Sequence, residues 1–354
     1  MKKRLFTPGP TEVPPEVLRA LGSPIPHHRK PEFKEVFLRV RGKLRQLMDS
    51  RRDPVIFTSS GTGAMVAAVI NFFSPGERVL VITAGKFGER WCDITKTYGL
   101  EVDCLEYPYG HTFDKDEVEE RLKRGYRGVF VQHTETSTGT EHDVRFLGRV
   151  KPPETLLVVD AVSSFGVYKI SPEEWGIDVL VWGSQKGLMM PPGLSFLWFS
   201  MGAERALETS KFPKFYYDVK KEYEAQAKAR PLFTPAVGLI LGLDVALDMI
   251  LKEGIERVEE RHRRIAKIVR KGAIEAGFKL FSKSPAINLT ALEVPRKMTD
   301  VEIIGFFDSH GVKIAPGQGS MKGKIFRIGH MGYVDDADAF MLASLLHRLG
   351  EKKG

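Results

Sequence analysis

Between about residue 35 and residue 200, short apolar runs alternate with amphipathic stretches, and this alternation restricts the fold more than any other feature of the chain. Runs such as Arg78 to Thr83, Gly128 to Gln132 and Leu156 to Asp160 have the length of strands and few charges. They read as strands buried on both faces. The stretches between them read as helices. Strands alternating with helices predict an α/β domain with a mostly parallel sheet.

The remaining elements follow the same logic. A helix is expected over Arg39 to Met48 and a short buried strand over Val55 to Thr58. After a Gly-rich turn, Ala64 to Phe73 reads as helix. Asp178 to Trp182 reads as a strand that runs into Gly183-Ser184-Gln185-Lys186. Ala236 to Ala276 reads as largely helical with a break near Gly254. Strands at Ile287 to Leu292 and Ile325 to Ile328, with helices at Asp300 to Ser309 and Asp335 to Arg348, make a smaller α+β unit. The expected division is an N-terminal arm over 1–15, a large domain over 16–255 and a small C-terminal domain over 256–354. Pro8, Pro10, Pro14 and Pro15 make the opening an extended arm across a domain or subunit boundary.

Composition narrows the classes further. No apolar run is long enough to cross a bilayer, so no membrane partner is expected. The basic start Met1 to Phe6 meets Thr7-Pro8-Gly9-Pro10 at once, without the apolar segment of a secretory signal. Cys92 and Cys104 are expected to form neither a disulfide framework nor a metal set, which suits a reducing cytoplasm. The net charge is +8. Its basic stretches, such as Arg257 to Lys271, mix acids and bases at helical spacing. They read as a solvated helix face, not a nucleic-acid surface. Side-chain amides are scarce while Lys, Arg and Glu abound, a balance that suits a thermophile.

In open α/β sheets, ligands gather at the carboxyl ends of strands. Here those ends carry Ser60, Thr62, His133, Glu135, Asp160, Gln185 and Lys186. Lys186 follows the apolar run Ile177 to Trp182 and precedes Gly187, Leu188, Met189 and Met190. A lysine in such surroundings is either paired with a carboxylate or has a lowered pKa and serves as a nucleophilic amine. Asp160 either caps the turn after it or holds a pyridine nitrogen protonated. The turn Ser59-Ser60-Gly61-Thr62-Gly63-Ala64 lacks the Gly-Lys-Ser/Thr ending of a nucleotide-triphosphate loop. It is either a plain tight turn or a phosphate-monoester cradle at a helix start.

Several segments taken together resemble the class V aminotransferases of pyridoxal-phosphate (PLP) fold type I, especially the alanine–glyoxylate and serine–pyruvate aminotransferases. The likeness rests on Thr7-Pro8-Gly9-Pro10-Thr11, Ser60 to Ala64, and His133-Thr134-Glu135-Thr136-Ser137-Thr138-Gly139. It also rests on Val159 to Ser164, Gly183 to Lys186 with Pro191-Pro192-Gly193, and Phe326-Arg327-Ile328-Gly329. It spans nearly the whole chain, and the segment around Lys186 is the most specific. The fold so implied is aspartate-aminotransferase-like, a large domain with a mostly parallel sheet plus a smaller α+β C-terminal domain.

The resemblance implies pyridoxal 5′-phosphate as cofactor and assigns roles. Lys186 carries the cofactor and moves the proton between substrate Cα and cofactor. Asp160 pairs with the pyridine nitrogen. Val162 and Phe87 pack the two ring faces, Phe87 standing where many relatives have Trp. Ser137 bonds the ring oxygen. Thr62, Gly63, Ala64 and Gln185 hold the phosphate, Ala64 standing where several relatives have His. Thr234 matches a phosphate ligand from the neighbouring subunit of a homodimer with shared sites, although Pro231 replaces its usual tyrosine companion. Arg327 clamps the substrate α-carboxylate. His28, Arg29 and His330 stand where they could meet an acidic side group of the substrate.

The implied activity is amino transfer between a small amino acid (alanine, serine or aspartate) and a 2-oxo acid (glyoxylate or pyruvate). A phosphoserine-type aminotransferase is the nearest alternative. A cysteine desulfurase fits less well, because Cys92 reads as helical and Cys104 as part of a strand, not as a mobile loop nucleophile. A basic binding protein that has lost catalysis is the alternative of a different class.

Overall fold

The computed structural model describes residues 4–351. Its centre is a seven-stranded sheet. The strand order is Val55–Phe57, Ser195–Phe199, Val179–Gly183, Leu156–Asp160, Gly128–Gln132, Arg78–Thr83 and Glu101–Glu106. Only Ser195–Phe199 runs against its neighbours; the other pairings are parallel. The α/β expectation therefore holds. The antiparallel strand was not anticipated, because an apolar run carries no mark of its direction.

Successive residues of a strand face opposite sides of a sheet. Val129, Val131, Leu157, Val159, Leu180 and Trp182 accordingly join one core with Phe33, Phe37, Leu243 and Leu247, from the helices Pro31–Leu47 and Val237–Glu253. Phe130, Leu156, Val158, Val179 and Val181 join a second core with Ala64, Ala68 and Trp91, from the helices Gly61–Phe72 and Lys86–Thr97. Both faces are covered, so the strands need no polar alternation. The helix expected from Arg39 starts earlier, at Pro31, a residue well suited to a first helical position.

A third core lies in the C-terminal part. It joins Ile265, Val269, Phe307, Phe326, Ile328, Leu342 and Leu346. The strand Ile325–Gly329 pairs antiparallel with Leu289–Glu293 and with Ala315–Pro316. The long helical region breaks at Gly254, with φ +89°, between Val237–Glu253 and Ile255–Glu275. Basic residues of the second helix pair with acids, Arg261 with Glu253 at 2.7 Å and Arg264 with Asp336 at 3.0 Å.

The N-terminal arm ties these parts together. Arg4–Leu5 pairs in parallel with Val312–Lys313, and Phe6 enters the third core. The chain then passes to the large sheet, where the Thr11 hydroxyl donates to the Lys186 carbonyl at 2.9 Å.

The cysteine expectation is corrected: Cys92 and Cys104 form a disulfide. The helix Lys86–Thr97 lies against the strand Glu101–Glu106 and brings the two Cα atoms to 6.4 Å, within disulfide reach. A pair twelve residues apart in one sequence does not announce that packing, and the cysteines no longer argue for a reducing compartment. Among the described residues no helix is long and apolar enough to cross a membrane.

Candidate active site

Three adjacent strands deliver the chemistry. In the ladder, Gln132 stands opposite Asp160, and Asp160 opposite Val181. The residues at and just beyond these ends line a cavity of about 340 Å³, among them Thr134, Asp160, Gln185 and Lys186.

Lys186 is 8% exposed. Its amine donates to the Pro8 carbonyl and not to a carboxylate. Burial pulls its pKa down to about 8, Arg327 pulls the same way, and Asp160 opposes them. A buried amine with that pKa is a usable nucleophile and proton carrier near neutrality. The arm reaches it only because residue 9 is glycine. Gly9 has φ +122°, and a Cβ there would overlap the Lys186 side chain.

Asp160 is also buried, and burial raises its pKa to about 6. Its Oδ1 accepts the Val162 N–H at 2.7 Å, which leaves the other oxygen for the cavity that Asp160 lines. The capping and the cofactor readings are therefore compatible.

The helix Gly61–Phe72 has no side-chain cap at its start. Of its first N–H groups, that of Gly63 donates to Ser60 O at 2.8 Å, and the turn still presents the positive end of the helix to an anion. Gly61 is needed there, since a Cβ would come 2.8 Å from Val162 Cγ2. Thr62 lines the cavity, while Ala64 turns its methyl into the second core. Gln185 lines the cavity too, and its Oε1 is buried without a partner. Phe87 and Val162 supply apolar walls. An amine, a carboxylate, an uncapped helix start, an amide side chain and an aromatic wall meet what PLP requires.

Glu135, read only as a strand-end group, proves to be a clamp. It is fully buried and accepts from Phe87 N–H at 2.9 Å and Gly88 N–H at 3.1 Å, at the start of the helix Lys86–Thr97. Its other oxygen takes the Ser137 N–H at 3.0 Å and the Ser137 hydroxyl at 2.6 Å. Burial raises its pKa against these four donors.

Ser137 is thereby placed differently from expectation. Its hydroxyl is committed to Glu135 and also accepts from Lys86 N–H at 3.1 Å. Thr134 and Thr136 line the cavity in its stead. His133 is likewise not at the cavity. It lines a separate hollow with His142, Tyr168 and Trp175, and burial lowers its pKa to about 3.

Arg327 is 4% exposed. Its guanidinium donates to Pro316 O at 3.0 and 2.8 Å, to Thr136 O at 2.9 Å and to Gln318 Oε1 at 3.4 Å. All these acceptors are neutral, so its charge is held in place without being cancelled. Burial lowers its pKa to about 10, against the pull of Glu135.

His330 is not among the residues that line the Lys186 cavity. It is fully buried, its Nε2 meets Thr290 Oγ1 at 2.8 Å, and burial pushes its pKa well below the usual range. It follows the strand Ile325–Gly329, and its N–H donates to Asn288 O at 3.0 Å. His28 and Arg29 lie between the helices Pro15–Leu21 and Pro31–Leu47. They are not among the residues lining the Lys186 cavity of their own chain. Thr234 lines a different hollow, beside Tyr216 and Phe233.

A PLP-type cavity at the strand ends of this sheet has its counterpart in known proteins. The model of the aminotransferase class-V family matches residues 4–329, and the chain belongs to that family. It is a PLP-dependent aminotransferase. It is 37% identical to the L-aspartate–glyoxylate aminotransferase of Paracoccus denitrificans, over 95% of this chain and 88% of that one. It is 38% identical, over 98% of this chain and 92% of the relative, to a Synechococcus protein named soluble hydrogenase, small subunit. Among solved structures, an aspartate aminotransferase of subgroup IV from Thermus thermophilus superposes with a TM-score of 0.93 at 38% identity, covering 99% of this chain and 100% of that one.

Proposed function

We propose that the enzyme moves an amino group between a small amino acid (alanine, serine or aspartate) and a 2-oxo acid such as glyoxylate or pyruvate. The names of the Paracoccus and Thermus relatives favour aspartate as donor, and the former favours glyoxylate as acceptor. The observation that carries the reading is the pair Lys186 and Asp160 in the cavity wall, with buried Arg327 close enough to lower the Lys186 pKa and no salt bridge between any two of the three. PLP, when bound there, supplies the electron sink for charge developed at the substrate Cα.

The chain's own groups do the rest. Lys186 carries the cofactor and takes and returns the Cα proton. Asp160 keeps the pyridine nitrogen protonated. Val162 and Phe87 pack the ring faces, and Glu135 positions Phe87 through the helix start. Thr62, Gly63, Ala64 and Gln185 hold the phosphate, and Thr136 takes the polar wall position expected of Ser137. Arg327 receives the α-carboxylate through charge-assisted hydrogen bonds. The test is a donor panel of alanine, serine, aspartate and phosphoserine against glyoxylate, pyruvate, oxaloacetate and 2-oxoglutarate. Turnover with a small donor and glyoxylate or pyruvate is expected. Absence of transfer from every donor would overturn the reading.

The site is completed in a homodimer. Thr234 sits apart from the cavity of its own chain, next to a ring cluster in which Phe215 is 82% exposed. A two-fold contact over that surface would let Thr234, and also His28 and Arg29, serve the partner's site. A fully active monomer in solution would contradict this. The division into an arm, a large domain to 255 and a small domain beyond is kept, with the break at Gly254 in support. The cytoplasmic and thermophile readings are kept together, since intracellular proteins of hyperthermophiles are rich in disulfides.

A further inference from the structure

The groups assigned to the phosphate, Thr62, Gly63, Ala64, Gln185 and a partner's Thr234, are all uncharged. A phosphate monoester carries about −1.5 to −2 charges at neutral pH. Enclosing it without a cation is costly. Arg90 is the one guanidinium among the residues that line the cavity. Its Nη1 donates to Thr62 Oγ1 at 3.3 Å. Its guanidinium carbon lies 4.8 Å from the Phe87 ring centroid, one helical turn further along the helix that Glu135 clamps. The nearest acid in sequence, Glu89, is engaged by Lys86 at 2.5 Å and by the Tyr109 hydroxyl. Arg90 itself forms no ion pair among the described residues.

We propose that Arg90 supplies the positive charge of the phosphate subsite, anchored on Thr62 beside the open start of the helix Gly61–Phe72. The inference rests on the reading of the cavity as the PLP site and adds a residue to it. A second carboxylate of a dicarboxylic substrate is the competing use. Its hydrogen bond to Thr62, a residue of the anion-binding helix turn, directs Arg90 to the phosphate.

The test compares PLP with pyridoxal, which lacks the phosphate. Equilibrium affinities of both are measured for wild-type apoenzyme, Arg90→Gln and Arg90→Met by absorbance of the bound form and by dialysis. Arg90→Met keeps an apolar stem over Phe87 and serves the comparison if the glutamine variant does not fold. Loss of one charge-assisted contact should weaken PLP about 10- to 100-fold and leave pyridoxal within about twofold. Equal weakening of both would reduce Arg90 to a packing role and overturn the proposal. So would unchanged PLP affinity accompanied by a raised KM for aspartate alone. If wild type binds PLP and the variants match it, only the Arg90 assignment fails. If wild type binds neither compound, the reading of the cavity fails with it.

Discussion

Two groups of charge in this enzyme, one partly exposed and one buried, are treated in opposite ways. Between the helices Pro31–Leu47 and Val237–Glu253, Arg39 and Lys43 close on Asp244 at 2.6 and 2.7 Å, and Lys43 also meets Asp248 at 2.6 Å. At the cavity, Lys186 rests on the Pro8 carbonyl, and nearby Arg327 rests on Pro316, Thr136 and Gln318. The first cluster is neutralised where it stands and holds two helices together. The second is oriented by neutral dipoles, and its charge remains available to an anionic ligand. Buried charge without a partner is unfavourable to the empty fold. The cavity is therefore where stability has been given up for binding and chemistry.

Lys186→Ala should show that contrast at its strongest. Turnover is expected to fall about 10⁴-fold or more, since the covalent and proton-transfer roles vanish together. The melting temperature of the apoenzyme should not fall, because no acid partner is stranded. Near-normal turnover of the variant would break the comparison.

Arg327→Ala comes next. A desolvated carboxylate contact is worth roughly 2–5 kcal/mol, so kcat/KM should drop by about thirtyfold or more for every amino donor alike. An effect confined to acidic donors would move Arg327 from the α-carboxylate to the substrate side chain.

Asp160→Asn should change two properties in opposite directions. Activity is expected to fall about tenfold or more, because an amide does not hold the pyridinium charge. The apoenzyme should gain stability above pH 6. A native pKa raised from 3.8 to about 6 means that the folded state binds more protons than the unfolded state between those values. Wild type therefore loses stability relative to the variant as pH rises from about 4 to about 6, by on the order of 2 kcal/mol. Thermal melts of both apoproteins at pH 4 and pH 8 read this, and equal differences at the two pH values would contradict it.

The smallest effect belongs to the paired cluster. Asp244→Asn should cost about 1–2 kcal/mol of stability, Arg39 being half exposed and the bridge partly screened. Its kcat should stay within about twofold. A large loss of turnover with unchanged stability would erase the distinction between the two regions.

Much of this was legible in the sequence, for physical reasons. The strands at Arg78–Thr83, Gly128–Gln132 and Leu156–Asp160 have the expected bounds, because strands covered on both faces are bare apolar runs. Lys186 and Asp160 stood out as polar groups at the ends of such runs. Side-chain direction was harder. Ser137 and Thr136 differ by one position, and only the hydrogen bonds of Glu135 decide which of them faces the cavity. His330 looked cationic in linear order, but it is fully buried against Thr290. Arg90 looks like any exposed helical arginine until Thr62 is seen beside it. The Cys92–Cys104 bond depends on how a helix lies on a sheet edge, which local pattern does not encode.

Every residue role above depends first on which lysine carries the cofactor. Borohydride reduction of the PLP-loaded enzyme fixes the carbon–nitrogen link, and peptide mass mapping then locates the pyridoxyl group. A single modified residue, Lys186, is expected, and no modification in Lys186→Ala. A pyridoxyl group on any other lysine of the wild type, or protein that stays colourless with added PLP and yields no adduct, would contradict the assignment.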